Sequence, residues 1–118
     1  MASVMIVEDD AVLGRSIAAH LSSEGFEVEV VESTFAALDR LDARKFNLVL
    51  SDIAMPRGMP NGVSLARMAR VRDPQCHVML MTGYADLAQE GDRYHSQVFA
   101  KPVDLDKLTA AIRKHVAA

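Results

Sequence analysis

The chain has 118 residues, with 16 acidic and 13 basic side chains and a single cysteine, and half of its residues are apolar. This length supports one hydrophobic core, so we expect a single domain spanning residues 1–118. The net charge of -3 argues against direct nucleic-acid binding, and the lone Cys76 excludes an internal disulfide. Because the sequence has no apolar run of membrane-spanning length and no signal peptide, we expect a cytoplasmic protein without a membrane span.

The first part of the chain predicts two strand and helix pairs. Residues 4–7 are a short apolar block that predicts a first strand, whereas residues 26–31 alternate apolar and acidic side chains. That alternation is typical of a strand with one solvated face, so we place the second strand at an edge of the sheet. Gly25 fits the C-terminal cap of the helix before it. Apolar side chains at helical spacing mark the two helices: Leu13, Ile17 and Leu21 in the first, and Phe35, Leu38 and Leu41 in the second.

The second part predicts three further pairs. Residues 46–50, in which Asn47 is the one polar residue, and the entirely apolar residues 78–81 show no alternation, which indicates strands covered on both faces. Residues 55–62, rich in proline and glycine, form a loop between the third strand and its helix. Residues 85–96 predict the weakest helix, and residues 98–100 a short fifth strand. The other two helices carry Leu65, Met68 and Ala69, and then, after Asp104 as N-cap, Leu105, Leu108, Ile112 and Val116.

Five successive strand and helix pairs predict an α/β fold with a doubly wound parallel sheet, because right-handed crossovers place helices on both faces. The three internal strands are then the first, third and fourth, and the simplest order is 2-1-3-4-5. In that order the topological switch point lies between strands one and three, and ligands bind at the carboxyl ends of the strands beside this point.

Polar side chains follow four of the predicted strands: Glu8, Asp9 and Asp10 after the first, Asp52 after the third, Thr82 after the fourth and Lys101 after the fifth. Each has a plain structural explanation when taken alone. Asp10 is best explained as a helix N-cap, Asp52 and Thr82 as turn residues, and Lys101 as a surface lysine. All of these positions nevertheless fall on one edge of the sheet, and this shared edge favours a site.

Converging carboxylates repel one another, and a bound cation removes that cost. Ligands that are all oxygen favour a hard ion, and a site open to water favours Mg²⁺ over Ca²⁺. A metal beside a carboxylate, a hydroxyl and an ammonium suits phosphoryl transfer onto an aspartate. The sequence lacks the motifs of dinucleotide-binding, P-loop, α/β-hydrolase and zincin proteins, and its four histidines are dispersed at positions expected on the surface or at strand ends.

Four segments, "MIVEDD", "LVLSDIAMP", "LMTGY" and "VFAKP", resemble in order and spacing the receiver domains of response regulators in two-component and phosphorelay signalling. The resemblance covers the whole chain and implies a flavodoxin-like (CheY-like) fold. It implies that Asp52 is the phosphoacceptor, and that Asp9, Asp52 and the backbone carbonyl of Ala54 hold Mg²⁺. Glu8 matches the partner acid, which reaches the ion through water.

The same resemblance assigns two further side chains and one peptide bond. Thr82 matches the hydroxyl that turns toward the phosphoryl group, and Lys101 matches the lysine that pairs with it. The bond between Lys101 and Pro102 corresponds to a cis peptide, which an X-Pro bond permits at low cost. The implied donor of the phosphoryl group is a histidine kinase or a histidine phosphotransfer protein, and the implied recipient of the signal is a downstream protein target.

Two features depart from the common receiver pattern. The loop after Asp52 is two residues longer than in most receivers, as in receivers attached to hybrid kinases. Val98 stands where many receivers have an aromatic residue that moves with the threonine. Phe99 follows directly, and the alternation of side chains along a strand predicts that it points to the opposite face.

Two other functions stay open at this stage. The chain can be a degenerate receiver that serves as a binding module, although the complete polar set argues against this. It can also be a Mg²⁺-dependent phosphohydrolase with an aspartate nucleophile, which is less favoured because Ala54 stands where such enzymes place a second aspartate. We therefore expect a receiver that catalyses only its own phosphorylation and dephosphorylation.

Overall fold

A computed structural model describes residues 1–56, 59–84 and 97–116. The elements are β1 (Ser3–Val7), α1 (Ala11–Ser23), β2 (Glu27–Val31), α2 (Thr34–Ala43), β3 (Leu48–Asp52), α3 (Gly62–Arg72), β4 (His77–Thr82), β5 (Gln97–Ala100) and α4 (Leu105–His115). All five strands are parallel and lie in the order β2-β1-β3-β4-β5. The predicted fold class and strand order are confirmed.

The sheet has an apolar core on each face. One core cluster lies against α1 and α4 and includes Ile6, Leu21 and Ile112. The other lies against α2 and α3 and includes Val49 and Leu65. Every residue of the internal strands β1 and β3 is buried, whereas β2 at the edge is only partly covered. Burial on both faces explains why the internal strands lack the alternation that marks β2.

The helix ends follow from the predicted capping residues. The Asp10 side chain accepts hydrogen bonds from the backbone N–H groups of Val12 and Leu13, at 3.1 and 3.2 Å. The Asp104 side chain caps α4 in the same way. Gly25 lies just after α1 with a φ of 97°, in the left-handed region that glycine adopts without steric cost. The capping predictions are therefore confirmed.

Two strands extend further than their apolar blocks. We expected the third strand over residues 46–50, but β3 runs from Leu48 to Asp52, and Phe46 is buried just before it. Asp52 stays in the strand because it is paired in register with Met81 of β4. Thr82 likewise belongs to β4 rather than following it. Both polar residues thus hold rigid strand positions at the edge where the site was predicted.

The apolar face of α2 was predicted partly wrongly. Phe35 is 53% exposed, whereas Thr34 and Ala37 are fully buried. Leu38 and Leu41 pack against the core as expected. Thr34, Ala37 and Leu41 are three and four residues apart and share the inner face, so a residue next to Thr34 is turned about 100° away from it.

Two predictions at β5 are confirmed. Val98 packs in the core cluster of α2 and α3, and Phe99 in that of α1 and α4, so the two side chains point to opposite faces. The peptide bond between Lys101 and Pro102 is cis. The weak helix predicted over residues 85–96 lies outside the described residues. In the part of the chain that the structure describes, no helix has the length and apolar character needed to cross a membrane.

Candidate functional site

The carboxyl ends of β1 and β3 bring three acidic side chains together. Glu8 and Asp52 are buried, at 0% and 6% exposure, whereas Asp9 is exposed. The backbone N–H of Glu8 donates to the carbonyl oxygen of Val31 at 3.0 Å, which fixes the chain as it leaves β1. One carboxylate oxygen from each acid lies within 4.8 Å of the others. We call Glu8, Asp9 and Asp52 the acidic cluster.

Lys101 joins the two buried acids of this cluster. Its Nζ atom lies 2.6 Å from Glu8 Oε1 and 2.8 Å from Asp52 Oδ2. The backbone N–H of Lys101 donates to the carbonyl oxygen of Thr82 at 2.9 Å, which extends the pairing of β5 with β4 to the lysine itself. Charge-assisted hydrogen bonds of this length are strong, so the ammonium holds both carboxylates in place.

The electrostatics of the site follow from burial and from these contacts. Burial raises the pKa of Glu8 to about 7, because the hydrogen bond from Lys101 only partly offsets desolvation and the negative charge of Asp52 adds to it. Burial opposes the charge on Lys101, but its hydrogen bonds to Asp52 and Glu8 outweigh that effect and raise the lysine pKa above its usual value. The lysine therefore stays charged, while Glu8 holds a proton more readily than an ordinary glutamate.

The acidic cluster fits a small hard cation. Its donors are all carboxylate oxygens, and one ammonium leaves it with more negative than positive charge. Mg²⁺ binds one or two carboxylates and keeps several waters, and the exposure of Asp9 leaves room for them. Among the described residues, this is the one group of three or more acids, histidines or cysteines that could hold a metal ion.

The two remaining predicted site residues lie close by. The backbone N–H of Ala54 donates to Asp52 Oδ1 at 3.2 Å, so the chain turns around the aspartate. Thr82 is at the right edge of the sheet, but its hydroxyl contacts the backbone of Tyr84: Oγ1 accepts from the N–H at 3.0 Å and donates to the carbonyl oxygen at 3.4 Å. The structure thus brings Glu8, Asp9, Asp52, Ala54 and Lys101 together, with the Thr82 hydroxyl turned to its own loop.

The cluster opens onto a crevice of about 530 Å³. Its walls are formed by Asp9, Asp52, Ala54, Met55, Pro56, Gly83, Tyr84 and Lys101. Asp52 lies at this crevice in spite of its burial, so a small group carried by another molecule has a route to its carboxylate.

Comparison with known proteins identifies the family. Residues 4–113 match the family described as the response regulator receiver domain. The chain belongs to this family. It is 32% identical to the response regulator receiver protein CpdR of Brucella abortus over 100% of this chain and 99% of that protein. It is also 37% identical to the response regulator protein FleR of Pseudomonas aeruginosa, but this match covers 97% of the receiver and only 24% of FleR.

Solved structures support the same fold. A CheY-like receiver domain protein from Methanospirillum hungatei superimposes with a TM-score of 0.88 at 27% identity, over 97% of this receiver and 92% of that chain. The response regulator TrrA from Thermotoga maritima, solved in complex with Mg²⁺-BeF, also gives 0.88, at 22% identity and with 98% and 100% coverage. The receiver is therefore a two-component signalling domain rather than a member of an enzyme family.

The sequence did not reveal the role of Gly62 at this receiver's site. A Cβ atom at this position would collide with the carbonyl oxygen of Asp52 and would lie 2.9 Å from the Cα of Ile53. The backbone N–H of Gly62 donates to the carbonyl oxygen of Ile53 at 2.9 Å. The start of α3 therefore packs directly on the backbone of the site aspartate. The one signal in the sequence is a glycine in the first turn of a helix, just after its N-cap Asn61.

The long loop after Asp52 is tied to a neighbouring helix. The Thr34 hydroxyl, fully buried at the start of α2, donates to the carbonyl oxygen of Pro60 at 2.7 Å. This hydrogen bond joins residues 26 positions apart in the sequence. The end of the loop is thereby held against the start of α2. Met55 and Pro56, at the start of the loop, line the crevice.

Proposed function

We propose that this receiver accepts a phosphoryl group on Asp52 from the phosphohistidine of a histidine kinase or a histidine phosphotransfer protein. The observation that carries the proposal is the position of Lys101 Nζ, within hydrogen-bond distance of both Asp52 and Glu8, in a residue that lines the crevice together with Asp9. An anionic nucleophile, a fixed cation and two further acids at one sheet edge are the parts that phosphoryl transfer to a carboxylate requires.

The transfer is a displacement at phosphorus. A carboxylate oxygen of Asp52 attacks the phosphorus atom, and the bond from phosphorus to the histidine nitrogen breaks. The electron pair of that bond returns to the imidazole. Lys101 pairs with the phosphoryl oxygens as charge builds up on them, since its ammonium already lies 2.8 Å from Asp52 Oδ2. Water later attacks the same phosphorus, the bond from phosphorus to the Asp52 oxygen breaks, and inorganic phosphate leaves as the carboxylate is restored. The receiver thus catalyses its own phosphorylation and dephosphorylation.

Mg²⁺ fits this proposal as the resident ion. Glu8, Asp9, Asp52 and the backbone carbonyl of Ala54 would hold it, with Glu8 acting through water. When bound, the ion would neutralise charge on the phosphoryl oxygens. The TrrA structure with Mg²⁺-BeF supports the choice of magnesium for this fold.

Thr82 couples phosphorylation of Asp52 to the backbone that follows β4. Its hydroxyl is bound by the backbone of Tyr84, and a phosphoryl group on Asp52 offers a stronger, charged acceptor at the same edge of the sheet. Rotation of the hydroxyl toward that acceptor releases the Tyr84 N–H and changes the loop after β4. A coupling of about 1–3 kcal/mol suffices to change the affinity for a downstream protein several-fold or more.

We assign residues 1–118 to one receiver domain in the cytoplasm, which passes its signal to a downstream protein target. Nothing in its charge favours direct nucleic-acid binding, because the 13 basic residues are outnumbered by 16 acidic ones.

The direct test is phosphorylation by a small-molecule donor. The full chain is incubated with acetyl phosphate and Mg²⁺, and its intact mass is measured over time. We expect one labile phosphoryl group on the wild-type chain, none on the Asp52→Asn variant, and none after removal of Mg²⁺ with EDTA. Asp10→Asn is the matched control, because Asp10 is an exposed N-cap outside the acidic cluster and asparagine caps helices equally well.

Each other outcome points to a different function. Failure of the wild-type chain to gain mass would contradict the proposal and favour a degenerate receiver that acts as a binding module. Phosphate release from many phosphomonoesters at high turnover would favour a phosphohydrolase. Equal phosphorylation of the wild-type and Asp52→Asn chains would show that another residue is the acceptor.

A further inference from the structure

Two histidines meet at the end of the sheet opposite to the acidic cluster. His77 is the first residue of β4 and His115 is the last residue of α4. Their ring centroids are 4.9 Å apart, with an angle of 37° between the ring planes. Both residues are exposed, and both line a cavity of about 220 Å³ together with Cys76 and Gln97. We call these two residues the histidine pair.

The spacing of the pair suits a shared metal ion. One ion can bind a nitrogen of each ring at about 2.0–2.1 Å. If the angle at the ion between these two bonds is about 90–109°, the ring centroids lie roughly 4.5–5.2 Å apart. The observed 4.9 Å falls within this interval. Small rotations of exposed side chains are enough to aim one nitrogen of each ring at a common point.

The backbone holds both histidines in place before any ion binds. The N–H of His77 donates to the carbonyl oxygen of Asn47 at 3.1 Å, and His77 is paired in register with Leu48. His115 is fixed by α4, whose Ile112 is fully buried against the sheet. Because the two rings come from rigid elements, an ion that binds the first ring finds the second already nearby, and little side-chain freedom is lost.

The donor type distinguishes this place from the acidic cluster. Imidazole nitrogens suit Zn²⁺, Ni²⁺ and Cu²⁺, whereas Mg²⁺ prefers oxygen. Within the described residues, no third histidine, cysteine or acid completes the pair at the spacing seen in the acidic cluster, so water fills the other positions. β4 has six residues from His77 to Thr82, and its length separates the histidine pair from the acidic cluster by about 17 Å.

We propose that the histidine pair binds one divalent transition-metal ion of the Zn²⁺ class, which links the start of β4 to the end of α4. The ion binds only the folded chain, because residues 77 and 115 are brought together by the fold. Its binding therefore stabilises the receiver against unfolding. The site is independent of phosphorylation and of Mg²⁺.

The test is a titration of the full chain with Zn²⁺ in the presence of excess Mg²⁺, followed by calorimetry and by the thermal unfolding midpoint. We expect one Zn²⁺ per chain and a raised midpoint. His77→Gln and His115→Gln should each weaken binding by at least about tenfold, since each removes one of two ligands. His20→Gln is the matched control, and Asp52→Asn, which alters the acidic cluster, should bind Zn²⁺ like the wild type.

A second measurement locates the ion. Paramagnetic Ni²⁺ should broaden the imidazole NMR signals of His77 and His115 before those of His20. Unchanged Zn²⁺ affinity in both pair variants, loss of Zn²⁺ binding in Asp52→Asn, or earlier broadening at His20 would each overturn the proposal. Absence of Zn²⁺ binding to the wild-type chain would overturn it as well.

Discussion

Adding a single methyl group at Gly62 should disturb both the fold and the site. In a Gly62→Ala variant, the new Cβ would collide with the carbonyl oxygen of Asp52 and would lie 2.9 Å from the carbonyl carbon of Asp52 and from the Cα of Ile53. Ordinary van der Waals contact begins at 3.4 Å, so these backbone atoms must move by about half an ångström or more. None of them is the end of a flexible side chain, so the strain cannot be relieved by a rotamer change.

The magnitude follows from two opposing effects. Forcing extra volume into a packed region costs typically about 1–3 kcal/mol, and a contact with backbone belongs in the upper part of that range. Alanine favours helix over glycine by up to about 1 kcal/mol, and by less in the first turn. We therefore expect a net loss of about 1–3 kcal/mol in the free energy of unfolding, which lowers the melting temperature by about 4–12 °C.

The assay combines urea unfolding with the rate of phosphorylation by acetyl phosphate. Because the displaced atoms belong to Asp52 itself, we expect phosphorylation to slow by about tenfold. Gly83→Ala is the matched control for stability, since a Cβ at Gly83 would meet no atom within 4 Å. If Gly62→Ala were as stable as the control and were phosphorylated at the wild-type rate, the proposed contact between α3 and Asp52 would be refuted.

Two further predictions concern Lys101 and Cys76. Lys101→Met should destabilise the chain in EDTA by about 1–3 kcal/mol, because the carboxylates of Glu8 and Asp52 lose their shared cation, and Mg²⁺ should restore more stability to this variant than to the wild type. Urea unfolding with and without Mg²⁺ measures this, and equal stabilisation of both chains would contradict it. Burial, with the nearby charge of Asp73, raises the pKa of the Cys76 thiol to about 11, so iodoacetamide at pH 8 should label the folded chain far more slowly than the urea-unfolded chain. Equal labelling rates in the two states would show that the thiol is accessible and ordinary.

Most of the fold was predictable because its signals are local. The apolar blocks of β1 and β3 and the alternation of β2 distinguish internal from edge strands without any knowledge of the partners. Capping by Asp10 and the left-handed Gly25 depends on the nearest few residues. Strand order then follows from the rules of crossover connections. The predicted acidic cluster is a direct consequence of that order.

The features that escaped prediction depend on contacts between distant segments. Asp52 remains in β3 because Met81 pairs with it, and Phe35 is exposed because packing of Thr34 selects the other face of α2. The approach of Gly62 to the Asp52 backbone depends on where α3 is placed. The histidine pair is a similar case, since dispersed positions gave no indication of a contact. The spacing of apolar residues indicates which face of a helix or strand is buried, but it does not indicate which segments pack against each other.

The charge of the site explains why a divalent ion would complement the partly buried Lys101. The three carboxylates of the acidic cluster leave two negative charges uncompensated when all are ionised and Lys101 is protonated. Burial already opposes this, as the raised pKa of Glu8 shows. Conversion of the Asp52 carboxylate to an acyl phosphate adds further negative charge, since a phosphoryl group carries about -1.5 to -2. One divalent cation would neutralise the unmodified site and would leave a phosphorylated one with a small excess of negative charge, to which the Thr82 hydroxyl and Lys101 could donate hydrogen bonds. The single charge of Lys101 offsets only one of the three carboxylates, and without the lysine the buried Glu8 would lose the hydrogen bond from its ammonium.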